Sequence, residues 1–443
     1  MSEKTVYIVH AVDTEGPIYE DLNATFERLR EIIGVDMKPS YKTLEQLQNK
    51  EIDLNGKEEV TASFLRPSMR TYNESWHQIT KMLERIMSEK YRKQLPDSFG
   101  GGWVYNWFCL DYVYFLDNPR RKEMGYHSIY DRYIEYIDRF NSPQDGMQWH
   151  FHPMTTYREA HRFATSFTNS PHLHEGLSKK IIEREFFPSA FRAGFHTERP
   201  DSNWFLEQWI PFDCSNQAVE DSSEKDSLLN LKNGRLGDWR RAPNTWEIYH
   251  PSIYDYQTKG DCNRFIARCL NMNARHSNIT EYEVRLAFDQ AREGKPAYLG
   301  VTNHDFREMS DEIDHVVELI RTVSKDYPDV KFRYSEVNEA FRKVALNGEF
   351  EKLDLDVNLY KDEGKYKLKI ETTNSKVFGP QPWLALQTQG GRTLQDNLDF
   401  GLDGKTWYYV FDESTVRSND LAAVGVAANN KYGDTFAKVI RPE

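Results

Sequence analysis

The stretch TVYIVHAVDTEG, residues 5–16, is an apolar run rich in β-branched residues that ends in two carboxylates, Asp13 and Glu15. That composition predicts a buried strand. Side chains alternate across a strand, so Val9, Ala11, Asp13 and Glu15 share one face and both carboxylates point the same way at its C-terminal end. Burying one carboxylate is costly and burying two together costs more, because like charges cannot both stay ionised without compensation. The stretch reads either as a surface turn capped by Asp13 or as part of a site in which a cation compensates the pair.

Outward from this run, strand-like and helix-like segments alternate through most of the chain. WVYNWFCLDYVYF precedes YDRYIEYIDRF, MQWHFHPM precedes EGLSKKIIEREFF, SAFRAG precedes SNWFLEQW, and PAYLGVTNHDF precedes SDEIDHVVELIRTVSKDY. In the last helix Ile313, Val316, Val317, Ile320 and Val323 form one apolar stripe. Repeated strand–helix units predict an α/β fold with a largely parallel sheet and helices outside it. A closed, distorted (β/α) barrel is preferred to an open sheet because several polar strand ends would then converge on one mouth. Residues 34–100 break the rhythm and are read as a helical insertion over one edge of the barrel, placed as a lid, with Trp76, Ile79, Leu83, Ile86 and Met87 on one helix face. From about Leu353 the pattern changes to period two with turn signals, so the expected division is a barrel over residues 1–350 and a β-sandwich over 351–443.

The chain has 443 residues, beyond the size at which a single core usually stops growing, which agrees with two domains. Its net charge is -12 and it has no basic stripe, which argues against nucleic acid or an anionic membrane as partner. No apolar run has the length of a signal peptide or a membrane span, so a cytoplasmic protein is expected. Cys109, Cys214, Cys262 and Cys269 lack the paired spacing of a zinc site and read as buried thiols.

QWHFHPM adds a second pair: His150 and His152 share a strand face, with Trp149 and Phe151 on the other. Two imidazoles facing the same mouth as two carboxylates make Asp13, Glu15, His150 and His152 candidate ligands for a divalent metal such as zinc, with room for a water. Arg192, in the apolar FRAG strand, needs a carboxylate partner; Asp13 or Glu15 would serve, unless it snorkels to the surface. His304 follows an apolar strand and precedes Asp305, and reads as a general acid oriented by a carboxylate or as a loop residue.

Taken in order, VDTEG, WHFHP, FRAG and NHDF resemble the motifs of the polysaccharide deacetylase superfamily, carbohydrate esterase family 4, over roughly residues 5–345 with the charged insertion excluded. The resemblance implies a distorted (β/α) barrel in which Asp13 is the catalytic base, Glu15, His150 and His152 hold the metal, Arg192 orients the base and His304 is the general acid. FDCS, with Asp213, resembles the family's strand after the arginine motif. Two departures stand out. Thr14 separates carboxylates that are adjacent in the family, so base and ligand roles could be exchanged, and Met154 stands where the second metal histidine is usual, so that His152 serves from the strand, His161 or another residue reaches in, or the site holds metal weakly. The implied activity is hydrolysis of an N-acetyl group on a sugar, a precursor in surface-polysaccharide assembly. A backbone N–H near Gly16 would stabilise the oxyanion. Trp149, His196 and Trp239 are candidate contacts for the sugar ring, each equally suited to core packing. The alternatives are a metal-dependent amidohydrolase acting on a non-sugar amide and a catalytically silent carbohydrate-binding protein.

Overall fold

The computed structural model of the protein describes residues 4–111, 127–152, 167, 172–220, 237–274 and 276–442. Its centre is a closed barrel of seven parallel strands. In chain order these are β1 (Thr5–Thr14), β2 (Tyr105–Leu110), β3 (Gly146–Phe151), β4 (Ala190–Ala193) and β5 (Phe212–Asn216). After a small hairpin, β6 (Pro251–Ser252) and β7 (Asp255–Lys259), come β8 (Phe265–Asn271) and β9 (Ala297–His304). Pairing of β9 with β1, from Val6↔Ala297 to Asp13↔His304, closes the ring. On its other edge β1 is shared, with β10 (Lys331–Tyr334) along Thr5–Ile8 and β2 along His10–Thr14.

The alternation expected in the first run is what sorts its side chains. Tyr7, Val9 and Ala11 fill the barrel interior with Phe108, Phe212, Ala267, Cys269 and Tyr298, whereas Val6, Ile8 and Val12 face the outer helices. The helix Val337–Ala345 plugs the N-terminal end, where Phe341 stacks on Phe212 at 4.3 Å. Interior volume is thus spent on apolar packing below and left to polar groups at the C-terminal mouth. The four cysteines are free and buried, as their spacing predicts.

The segment expected to be an insertion divides in two. Phe26, Leu29, Ile33, Leu44, Leu47 and Phe64 build a small apolar cluster of their own. The helix Trp76–Ile86, by contrast, buries Ile79, Met82, Leu83 and Ile86 in the main outer core that also holds Val6, Ile8 and Val12. Its N-terminal residue Trp76 lies over Gly16 at the end of β1, and its far end is tied to β2 by the Tyr105 hydroxyl donating to the Ile86 carbonyl at 2.9 Å.

The C-terminal region is a sandwich of two four-stranded antiparallel sheets enclosing Leu368, Ile370, Leu386, Trp407 and Val426. One sheet docks on the barrel through the helix His172–Arg184. Trp383 and Ala423 join Trp149, Leu177, Ile181 and Phe205 in a shared core. Gly425 permits the close approach, since a Cβ there would lie 2.6 Å from Ile181 Cγ2. Asn429 fastens the seam by donating to the carbonyls of Pro188 and Trp209 at 2.8 and 3.0 Å.

Candidate metal centre and acid–base site

The C-terminal ends of β1, β3, β4 and β9 bring four of the sequence motifs to one mouth. His150 is level with Arg192 on the neighbouring strand, and Asp13 is level with His304. The inward phase set by Val9 and Ala11 on β1 delivers Asp13. On β3 the same alternation sends His150 inward and Trp149 and Phe151 outward into the helix-side core.

Glu15, His150 and His152 form a buried cluster whose ligand atoms all lie within 4.8 Å of one another. Glu15 Oε1 is 3.7 Å from His150 Nε2 and 3.4 Å from His152 Nε2, and the two Nε2 atoms are 3.0 Å apart. A tetrahedral ion with bonds of roughly 2 Å requires ligand atoms about 3.3 Å apart, so the spacing suits such an ion. The tautomer suits it as well. His150 Nδ1 faces the Arg192 carbonyl at 2.9 Å, and a carbonyl can only accept, so Nδ1 carries the proton and Nε2 presents its lone pair to the cluster. Gly194 clears the space for His152, because a Cβ at that position would meet the imidazole Cδ2 at 2.4 Å. Two nitrogens and one carboxylate oxygen form a three-ligand set with a position open for water, so these residues could hold a divalent metal.

Asp13 stands outside that cluster, which corrects its placement among the metal ligands. Arg192 claims its carboxylate: Nε donates to Asp13 Oδ1 at 2.7 Å, Nη1 donates to the Cys214 carbonyl at 2.7 Å and Nη2 donates to His196 Nδ1 at 3.0 Å. Both members of the ion pair are buried. Burial alone would raise the Asp13 carboxyl, but the Arg192 guanidinium outweighs it and holds the group below its ordinary value. Asp13 is therefore ionised at neutral pH.

His304 Nε2 lies 3.7 Å from Asp13 Oδ2 and 3.9 Å from Glu15 Oε1, with 21% of its side chain exposed to the mouth. Burial drives its pKa well below the ordinary histidine value, against the pull of Asp13, so the imidazole is neutral at rest. Its neighbour Asp305 does not orient it. The Asp305 carboxylate accepts instead from the backbone N–H groups of Glu15 and Gly16 and from the Tyr133 hydroxyl. This also removes Gly16 as the oxyanion donor, since its N–H is already engaged.

Of the expected sugar contacts, Trp149 and Trp239 are both fully buried. Trp149 packs among Phe151, Phe191 and Phe205 outside the barrel wall, with Nε1 donating to Asp111 at 2.6 Å. Trp239 Nε1 donates to the His196 carbonyl at 2.8 Å and fastens the turn after Arg192, where Phe195 and His196 adopt φ of 53° and 54°. Left-handed backbone at two consecutive non-glycine residues is strained and persists only where neighbours enforce it. His196 is buried on Arg192, and burial, then the guanidinium, keeps it neutral. Asp213 is taken by Arg264 at 2.7 Å, away from the cluster. His161, the alternative ligand, and Met154 lie outside the described residues.

Gly194, Tyr133 and the true role of Asp305 escape a reading by motif. The glycine in FRAG and the acid after His304 were visible signals, but which atoms they serve depends on contacts between distant segments. Comparison with protein-family models, with curated proteins and with solved structures found no match.

Proposed function

We propose that this chain is a metal-dependent hydrolase of the polysaccharide deacetylase type, removing an N-acetyl group from a sugar that serves as a precursor in surface-polysaccharide assembly. One observation carries the reading: a three-ligand Glu15–His150–His152 cluster lies beside an ionised carboxylate, Asp13, and an imidazole, His304, with the carboxylate held by a buried arginine. Metal site, base and acid within one mouth are what hydrolysis of an unactivated amide requires.

Zinc is the proposed ion, held by Glu15, His150 and His152, and when bound it would supply Lewis acidity toward the acyl carbonyl and toward water. Asp13 takes the proton of the attacking water, while Arg192 aims it and keeps it ionised between turnovers. A proton on Asp13 is unstable beside Arg192, and His304 Nε2 is 3.7 Å away. His304 therefore receives the proton and delivers it to the departing amine. The neutral resting state of His304 makes it a relay loaded during the cycle, and not an acid charged beforehand.

The buried positions of Trp149 and Trp239 remove two of the three expected sugar platforms, which favours hydrolysis of a non-sugar amide as the second reading. The test is zinc content of the purified chain together with acetate release from N-acetyl sugars, assayed against other amides. Asp13→Asn should abolish acetate release and retain zinc, whereas Glu15→Gln should lose zinc; the opposite pattern would exchange the two roles. A chain that takes up no divalent ion would refute the proposal.

A further inference from the structure

β1 ends at Thr14, so the N–H groups of Glu15 and Gly16 leave the ladder while still buried, and buried donors need partners. Asp305 provides them. Its Oδ1 accepts from Glu15 N at 2.8 Å, and Gly16 N reaches both oxygens, at 3.2 and 3.0 Å. Tyr133 completes the arrangement from the helix Ser128–Arg139, its hydroxyl donating to Asp305 Oδ2 at 2.8 Å. The Tyr133 ring is itself wedged against Trp107, at 4.8 Å between centroids.

The main chain of Asp305 is fixed too. Asn73 Nδ2 donates to the Asp305 carbonyl at 2.9 Å and to the Arg307 carbonyl at 3.0 Å, and Asn73 N donates to the Phe306 carbonyl at 2.7 Å. Gly16 turns left-handed, at φ 73°, under the Trp76 ring, and Ile18 N donates to the Asn73 carbonyl at 3.1 Å, so the chain after Glu15 is held by the same segment that fixes Asp305. β9 therefore ends with His304 level with Asp13, and the next residue, Asp305, grips the backbone of Glu15.

We infer that Asp305, braced by Tyr133, is a positioning residue that sets Glu15 for the metal, so that the end of β9 places the proton relay and the residue after it places a ligand. The inference rests on the proposed metal site. Partners that orient ligands from behind typically change metal affinity 10–100-fold when removed.

The test uses the full chain, with Zn²⁺ affinity measured by chelator competition, the visible spectrum of the Co²⁺-loaded protein and the melting temperature of the metal-free form. Asp305→Asn keeps the shape but turns one acceptor oxygen into a donor against Gly16 N–H or Tyr133; zinc affinity should fall about 10–100-fold with an altered Co²⁺ spectrum. Tyr133→Phe keeps the ring packing and should weaken zinc severalfold in the same direction. Val316→Ala, remote in the outer core, should lower the melting temperature and leave zinc affinity unchanged, as a merely structural effect would. Wild-type affinity and spectrum in both site variants would overturn the inference while the metal site stands. If Asp305→Asn does not fold, an unchanged affinity in Tyr133→Phe overturns it alone. A wild-type chain that binds no divalent ion removes the metal site and the inference together.

Discussion

Arg192 Nε donates to Asp13 Oδ1 at 2.7 Å between two strands on opposite parts of the barrel wall, and neither side chain is exposed by more than 2%. The pair is a buried charge whose two halves depend on each other. Replacing Arg192 with Met should leave Asp13 as an uncompensated buried carboxylate, destabilising the protein by about 3–5 kcal/mol and raising the Asp13 pKa. Urea denaturation reads the first effect and the pH dependence of acetate release the second. A variant as stable as the wild type would show that the pair is dispensable.

Gly194 is the second sensitive point. A methyl group there would sit 2.4 Å from His152 Cδ2, so Gly194→Ala must displace the imidazole or the turn that follows. Zinc affinity should drop at least about tenfold with little change in secondary structure. Chelator competition decides it, and unaltered affinity would mean that His152 tolerates displacement.

Acid lability should trace in part to His10. Its Nδ1 faces the Trp103 indole N–H at 2.9 Å and its Nε2 faces Asn303 Oδ1 at 2.8 Å, a pattern only neutral imidazole can satisfy. Burial, opposed by Asn303 and Asp13, lowers its pKa to about 3. Below the ordinary value near 6.5 the unfolded chain gains a proton that the folded chain refuses. Stability is therefore full above that value and falls as pH drops from about 6.5 toward 3, by up to ~1.4 kcal/mol per pH unit. Urea titrations of wild type and His10→Gln between pH 7 and 4 should show the steeper loss in the wild type. Parallel slopes would assign the lability elsewhere.

The seam between barrel and sandwich makes a separate prediction. Trp383 is fully buried, donates to Ser178 Oγ at 3.1 Å and packs on Trp209 at 4.9 Å. Trp383→Ala should cost about 3–5 kcal/mol through the cavity it leaves. Because that core also contains Trp149 and Phe191 of the barrel wall, barrel and sandwich should lose stability together. A denaturation curve in which only the sandwich transition moves would show the two parts to be uncoupled.

Strand phase and helix stripes were legible from single segments, because hydrophobic alternation is a local property of the chain. That is why β1, β3 and the stripe from Ile313 to Val323 read correctly, and why Asp13 and His150 could be assigned to one mouth before their distance was known. What the stripe of the helix Trp76–Ile86 packs against was not legible, because an amphipathic stripe states that a face is buried, not against what. Trp149 and Trp239 were left between core and ligand contact for a related reason, since an aromatic side chain packs in a core or binds a ligand with the same chemistry, and burial puts both in the core.

By itself the sequence determined the α/β alternation, the change to period two near Leu353 and the residue types available for a metal and a proton relay. Only the tertiary structure decided who partners whom: Arg192 takes Asp13 and leaves Glu15 with the two histidines, and Asp305 turns from His304 to the backbone of Glu15. The reason is physical. Charge compensation and hydrogen-bond satisfaction in a buried mouth are settled among groups hundreds of residues apart, and no local pattern encodes which of two nearby carboxylates a guanidinium reaches first.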